Sequence, residues 1–160
     1  MKFSLFAASI LALAFQAHAL STLPEPRVAV TNAWVKTTVP GGRVSAAYMT
    51  IEASEAIKLI KVEAESAGIV EIHDMKMNDG VMEMKALDEI VIPADAPVTL
   101  KPGGMHVMLL KIKKPINKGD KVPLILTFQT TGRGASDKTF TERLGVLARE
   151  KAPGAELKKP

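Results

Sequence analysis

The sequence predicts an all-β fold, an antiparallel sandwich or barrel, on three observations. Apolar residues recur at period 2 in short runs, the pattern of half-buried strands. Between the runs stand clusters of Gly, Pro, Asn and Asp that suit tight turns, such as "VPGG", "MNDG", "LKPGG" and "INKGD". Beyond the N-terminal apolar run, the sequence has no long stripe at helical spacing.

The strands predicted in chain order are Val28 to Trp34, Ala46 to Glu52, Ile57 to Glu63, Ile69 to His73, Val81 to Leu87, Val98 to Leu100, Met105 to Ile112, Val122 to Gln129 and Thr139 to Val146. Asn78-Asp79-Gly80 predicts a hairpin turn. It would join the strand ending near His73 to the one carrying Met82 and Met84, and so bring His73 and Met84 near each other. The pattern shows no internal repeat and no second domain, so residues 20–148 are expected to form a single sandwich.

Residues 1–19, "MKFSLFAASILALAFQAHA", read as a signal peptide with cleavage after Ala19. One Lys precedes an apolar run from Phe3 to Phe15, and Ala17-His18-Ala19 supplies the small-x-small end of such a segment. The run is short for a membrane span. The sequence has no cysteine, so no thiol follows the cleavage site to carry a lipid, and the product is expected to be exported, periplasmic and without a membrane anchor. The polar segment 149–160, "REKAPGAELKKP", is expected to be a flexible tail.

Composition excludes several classes. The 21 basic and 17 acidic residues are scattered, with no clustered basic face of the kind that nucleic acid requires. Without cysteine there are no disulfides and no thiol chemistry, although the expected compartment is oxidising. What stands out is the placing of soft and borderline donors. Beyond the signal segment the histidines are His73 and His106, and every methionine except Met49 falls between positions 75 and 108.

Methionine is a common gap filler in apolar cores, and a lone histidine is usually a structural residue. Clustering the two goes beyond filler, because strands ordinarily draw on Val, Ile and aromatic residues. In "LKPGGMHVMLLKI", His106 and Met108 are two apart and so share one face of a strand, whereas Met105 should point to the other. His73, Met84, His106 and Met108 make a four-ligand set of two imidazoles and two thioethers with no charged donor. Thioethers select Cu(I), while Zn²⁺ or Ca²⁺ would call for thiolate, carboxylate or further imidazole.

The spacing of these four residues, H-x10-M-x21-H-x-M, resembles the motif of the periplasmic copper chaperones known as PCu(A)C. The surrounding stretches "EIHDMKMNDGVMEMK", "IPADAPVTLKPGGMHVMLL" and "GDKVPLILTF" are also similar to that family, and the likeness runs over about residues 26–147. The resemblance implies a cupredoxin-like antiparallel Greek-key β-sandwich that binds one Cu(I) through His73, Met84, His106 and Met108. It implies delivery toward the Cu(A) centre of cytochrome c oxidase, directly or through a Sco-type protein. Some relatives carry a His- and Met-rich C-terminal extension that takes up Cu(II); here the tail has neither residue.

Three other readings fit the residues less well. A blue-copper electron carrier needs a Cys thiolate, which the chain lacks. An enzyme would need a catalytic set or an open coordination position, and two histidines already placed in a filled soft site leave neither. A metal-free exported interaction or assembly module would use the methionines as a contact surface, but leaves the histidine spacing unexplained.

Overall fold

The computed structural model describes residues 25–131 and 138–153. The expected signal peptide, 1–19, and the end of the expected tail, 154–160, lie outside the described residues. Ten strands are formed: β1 Val28–Lys36, β2 Val44–Ala53, β3 Ile57–Ala64, β4 Ile69–Asn78, β5 Val81–Leu87, β6 Ile90–Ile92, β7 Val98–Leu100, β8 His106–Leu110, β9 Lys121–Thr130 and β10 Thr139–Arg149. The described residues contain no helix.

The hydrogen-bonded order is β5-β4-β8-β2-β1-β10-β9-β3-β6, with β7 paired to β2 off this path. The path doubles back, so that Met49 and Ile51 of β2 and Val107 and Leu109 of β8 share one apolar core with Leu59 of β3 and Leu124, Leu126 and Phe128 of β9. Burying side chains of this size contributes about 1.5–3 kcal/mol each before entropy is counted. The fold is thus the expected β-sandwich, cupredoxin-like in its layers.

Four details differ from the sequence reading. The ladder is mixed, not purely antiparallel: β1 and β10 run parallel, with Trp34 beside Leu147 and Lys36 beside Arg149. These strands lie far apart in sequence, so no hairpin dictates their direction. The unexpected β6 buries Ile90 and Ile92 opposite Leu59 and Ile57; its three residues were too short a run to separate from the turn that follows. β10 continues through Arg149, and Ala152 packs beside Trp34, Ala46 and Tyr48, so the start of the expected tail is tied to the sandwich.

The fourth difference concerns β4, which runs five residues past His73 to Asn78. Its turn is Asp79-Gly80, both at positive φ (49° and 79°), as a two-residue hairpin of the twist-matching kind requires. Pairing of β4 with β8 ends at His73, whereas pairing with β5 continues to Asn78. The β4–β5 hairpin therefore extends beyond the ladder that holds its base.

Candidate metal site

β8 decides which way the site faces. Val107 and Leu109 are fully buried in the core, so alternation turns His106 and Met108 to the outer face of the sheet. Met105 packs against the main core, as alternation predicts. The pairing of β8 with β4 sets His73 directly opposite His106, and their ring centres are 5.9 Å apart at an interplanar angle of 52°.

Each imidazole is held by one nitrogen. His106 Nδ1 lies 2.8 Å from the Gly104 carbonyl oxygen, which can only accept, so Nδ1 carries the proton and Nε2 keeps its lone pair. That carbonyl is aimed by the turn before β8. Gly103 takes φ 79°, the Gly104 amide donates to the Lys101 carbonyl at 3.1 Å, and the Lys101 amide donates to the Met105 carbonyl at 2.8 Å. The Tyr48 ring centre lies 6.3 Å from that of His106 and 4.5 Å from that of Trp34, both pairs tilted, so His106 packs beside an aromatic pair and is only 4% exposed. Burial pushes the Tyr48 phenol above its ordinary value of 10.0, which keeps it neutral beside the site.

His73 is held the other way round. Its Nε2 lies 2.9 Å from Glu71 Oε2, and its Nδ1 is buried with no hydrogen-bond partner. A buried polar atom left unpaired costs about 1–3 kcal/mol. A carboxylate hydrogen-bonded to one imidazole nitrogen while the other stands free is how metal-ligating histidines are commonly oriented. Metal–imidazole bonds of about 2.0 Å place two rings sharing one ion with their centres about 5 Å apart at a tetrahedral angle and about 6 Å apart at a near-linear one, so the observed 5.9 Å lies at the wide end of that range.

The thioethers complete the arrangement. Met108 lies between Glu71 on β4 and Ala46 on β2, on the face of His106. Met84 is paired with Met75, not with His73, whose partner on β5 is Ala86. The hairpin does bring His73 and Met84 onto one face, as expected, but diagonally. Met75, Met84, His106, Met108 and Tyr48 line one open cleft of about 310 Å³. His73 does not line it but lies behind its wall, its ring centre 5.9 Å from that of His106.

Sequence reasoning missed Met75 and Glu71. Both stand two residues from His73 on the same strand, so the period-2 rule that linked His106 to Met108 would have placed them on the histidine's face. Among the described residues no three His, Cys, Asp or Glu side chains gather as a cluster that could hold a metal; on this face the two imidazoles stand with the thioethers and the Glu71 carboxylate. A larger cleft of about 410 Å³ opens beside Glu63, Lys121 and Arg143, but it offers surface charge and no soft donor.

Fold and site together define a cupredoxin-like β-sandwich with a solvent-facing His/Met cluster. The chain belongs to the LpqE-like family, described as "Putative lipoprotein LpqE-like", whose profile matches residues 28–137. It is 33% identical over 104 residues to a Leifsonia xyli subsp. xyli protein named "Putative lipoprotein Lxx21020", an alignment covering 63% of this chain and 61% of that one. It is 29% identical over 110 residues to "Uncharacterized protein RP573" of Rickettsia prowazekii, covering 65% of this chain and 61% of the relative. The chain thus spans about three-fifths of the length of these curated relatives.

Among solved structures, it is similar to the apo form of DR1885 from Deinococcus radiodurans, at 26% identity and TM-score 0.53, over 93% of this chain and 97% of that one. The Cu(I) form of the same protein matches at 26% identity and TM-score 0.53, over 86% of each chain. The copper-bound PCuAC domain from PmoF2 shares the fold at 23% identity and TM-score 0.55, over 76% of this chain and 93% of that domain. No helix among the described residues is long and apolar enough to cross a membrane.

Proposed function

We propose that this protein is an exported copper chaperone whose cargo is one Cu(I), held by His73 through Nδ1, His106 through Nε2, and Met84 and Met108 through their sulfurs. The observation that carries the reading is the facing pair of imidazoles, each with one nitrogen fixed by a hydrogen bond and the other free, on the same face as two thioethers. Two imidazoles and two neutral sulfurs suit a soft monovalent ion and give Cu(II) or Zn²⁺ little reason to prefer the site. The likeness to a protein solved with Cu(I) supports the same cargo.

Chemically the protein needs only to exchange ligands. His106 is rigid and buried, whereas Met84 is 47% exposed on the hairpin, so a partner's donor can displace Met84 first while the imidazoles still hold the ion. The metal keeps its oxidation state and no bond of the protein is broken. Delivery is to the Cu(A) subunit of cytochrome c oxidase, directly or through a Sco-type copper protein, in the periplasm, where the N-terminal segment would send the chain.

Titration with Cu(I) under reductant, against a competing Cu(I) chelator, tests this reading. One tight equivalent is expected, with weak Cu(II) binding and no intense visible band. Absence of tight Cu(I) binding would favour the metal-free interaction module instead, the reading suggested by exposed Met77, Val81 and Met82 at the hairpin end.

A further inference from the structure

The β4–β5 hairpin carries more sulfur than the inner site uses, and carries it on one side. In the ladder, Met75 pairs with Met84 and Met77 pairs with Met82. Residues directly opposite in an antiparallel pair share a face, and residues two apart on a strand share it too. Met75, Met77, Met82 and Met84 therefore form a two-by-two block of thioethers on the face of His73.

The other face of the same segment presents Asp74, Lys76, Glu83 and Lys85, with Lys76 Nζ 3.2 Å from Asp74 Oδ2. Charge and sulfur are fully segregated across the hairpin. Met77 and Met82 are also 67% and 64% exposed, so they pack no core. A hairpin that only needed to stay soluble would gain from charge on both faces.

We propose that Met75, Met77 and Met82 form a second, outer Cu(I) station, through which the ion enters and leaves the His/Met site. The inference rests on the Cu(I) reading of that inner site. Directly paired strand residues hold their Cβ atoms about 4.5–5.5 Å apart, within reach of two flexible thioethers meeting on one soft ion. Met75 lines the inner cleft and lies two residues from Met77, so it can pass the ion between the stations. Each step replaces one sulfur ligand by another, with no electron or proton transferred. The outer station lacks imidazole and should hold copper more weakly than the inner one, as a point of transfer requires.

The test is a titration of the protein carrying ¹³C-methyl methionine, with Ag(I) as a redox-inert soft probe and Cu(I) under reductant as the second. During the first equivalent the methyl signals of Met84 and Met108 should move. Beyond it, Met77 and Met82 should move together, while buried Met49 stays still. The double variant M77L/M82L should keep the first-equivalent affinity, lose the second phase, and load from a Cu(I) chelate severalfold more slowly. If Met84 and Met108 respond but Met77 and Met82 do not, or if the double variant loads at the parental rate, the outer station is wrong and the inner site stands. If Met84 and Met108 do not respond, the inner site is wrong and the transfer route falls with it.

Discussion

Met49 on β2 and the methionines of the β4–β5 hairpin belong to one sheet and differ in everything around them. Met49 faces inward, is 1% exposed and pairs with Leu100 in a core where any side chain of that volume would serve. On the hairpin, Met77 and Met82 lie about two-thirds in water, opposite each other and on the face of His73. Leaving an apolar side chain of this size exposed forgoes about 1.5–3 kcal/mol of burial. What the comparison teaches is that composition alone does not define a soft-metal site. The same side chain is packing in one place and stands in water beside a histidine in the other, and on the proposed reading the deciding facts are the direction it faces and what lies two residues away.

The largest effects should come from exchanging the roles of the two regions. Met49→Ala should destabilise the fold by about 2–5 kcal/mol while leaving the Cu(I) affinity of the folded protein unchanged. His106→Ala should do the reverse. Its Cu(I) affinity should fall by more than the about 10–100-fold that loss of a mere supporting partner costs, and the copper-induced rise in melting temperature should disappear. Melting each variant with and without Cu(I) reads both quantities. Parental copper stabilisation in His106→Ala would break the comparison.

Next in size is Met108→Leu, which conserves volume. Apo stability should change by less than about 1.5 kcal/mol, whereas Cu(I) affinity should fall clearly. Met49→Leu, the matched control, should alter neither. Equal copper stabilisation in Met108→Leu and the parent would return Met108 to the class of Met49.

Glu71→Gln sharpens the same contrast through an outer partner. The amide oxygen can still accept from His73 Nε2 but without the charge that strengthens the carboxylate's bond, so Cu(I) affinity should drop about tenfold with the fold intact. An unchanged affinity would show that the 2.9 Å contact does not orient the ring.

The smallest effect concerns Tyr48 beside His106. Burial raises its pKa above 10.0 in the folded state, so folding favours the neutral phenol. That contribution is fully present below the unfolded value and is lost as pH rises through the higher folded value. Ultraviolet titration of the apo protein should find the phenol still protonated at pH 10, and a midpoint at or below 10 would contradict the packing described for the aromatic pair.

Much of the fold was legible because the strands alternate cleanly. The inward Val107 and Leu109 and the outward His106 and Met108 follow from period 2 alone. The parallel β1/β10 pair was not legible, because strands at opposite ends of a chain carry no local signal of their mutual direction. Nor was β6, whose burial depends on β3 across the sheet. At the site, the four expected residues do reach one face of the sheet. The register was the hidden quantity: placing the turn at Asp79-Gly80 and running β4 on to Asn78 pairs Met84 with Met75, which a strand ending at His73 could not suggest. The Glu71 contact and the orphaned His73 Nδ1 arise from side-chain placement that spacing does not encode.

X-ray absorption of the protein loaded with one equivalent of Cu(I) tests the central claim most directly, because sulfur lies about 0.3 Å farther from a bound metal than imidazole nitrogen does. The expected spectrum has a mixed shell of imidazole nitrogen and thioether sulfur, and its sulfur component should shrink in Met108→Leu. A shell of nitrogen and oxygen alone, or a sulfur shell unchanged by that substitution, would contradict the assignment of the His/Met face as the copper site.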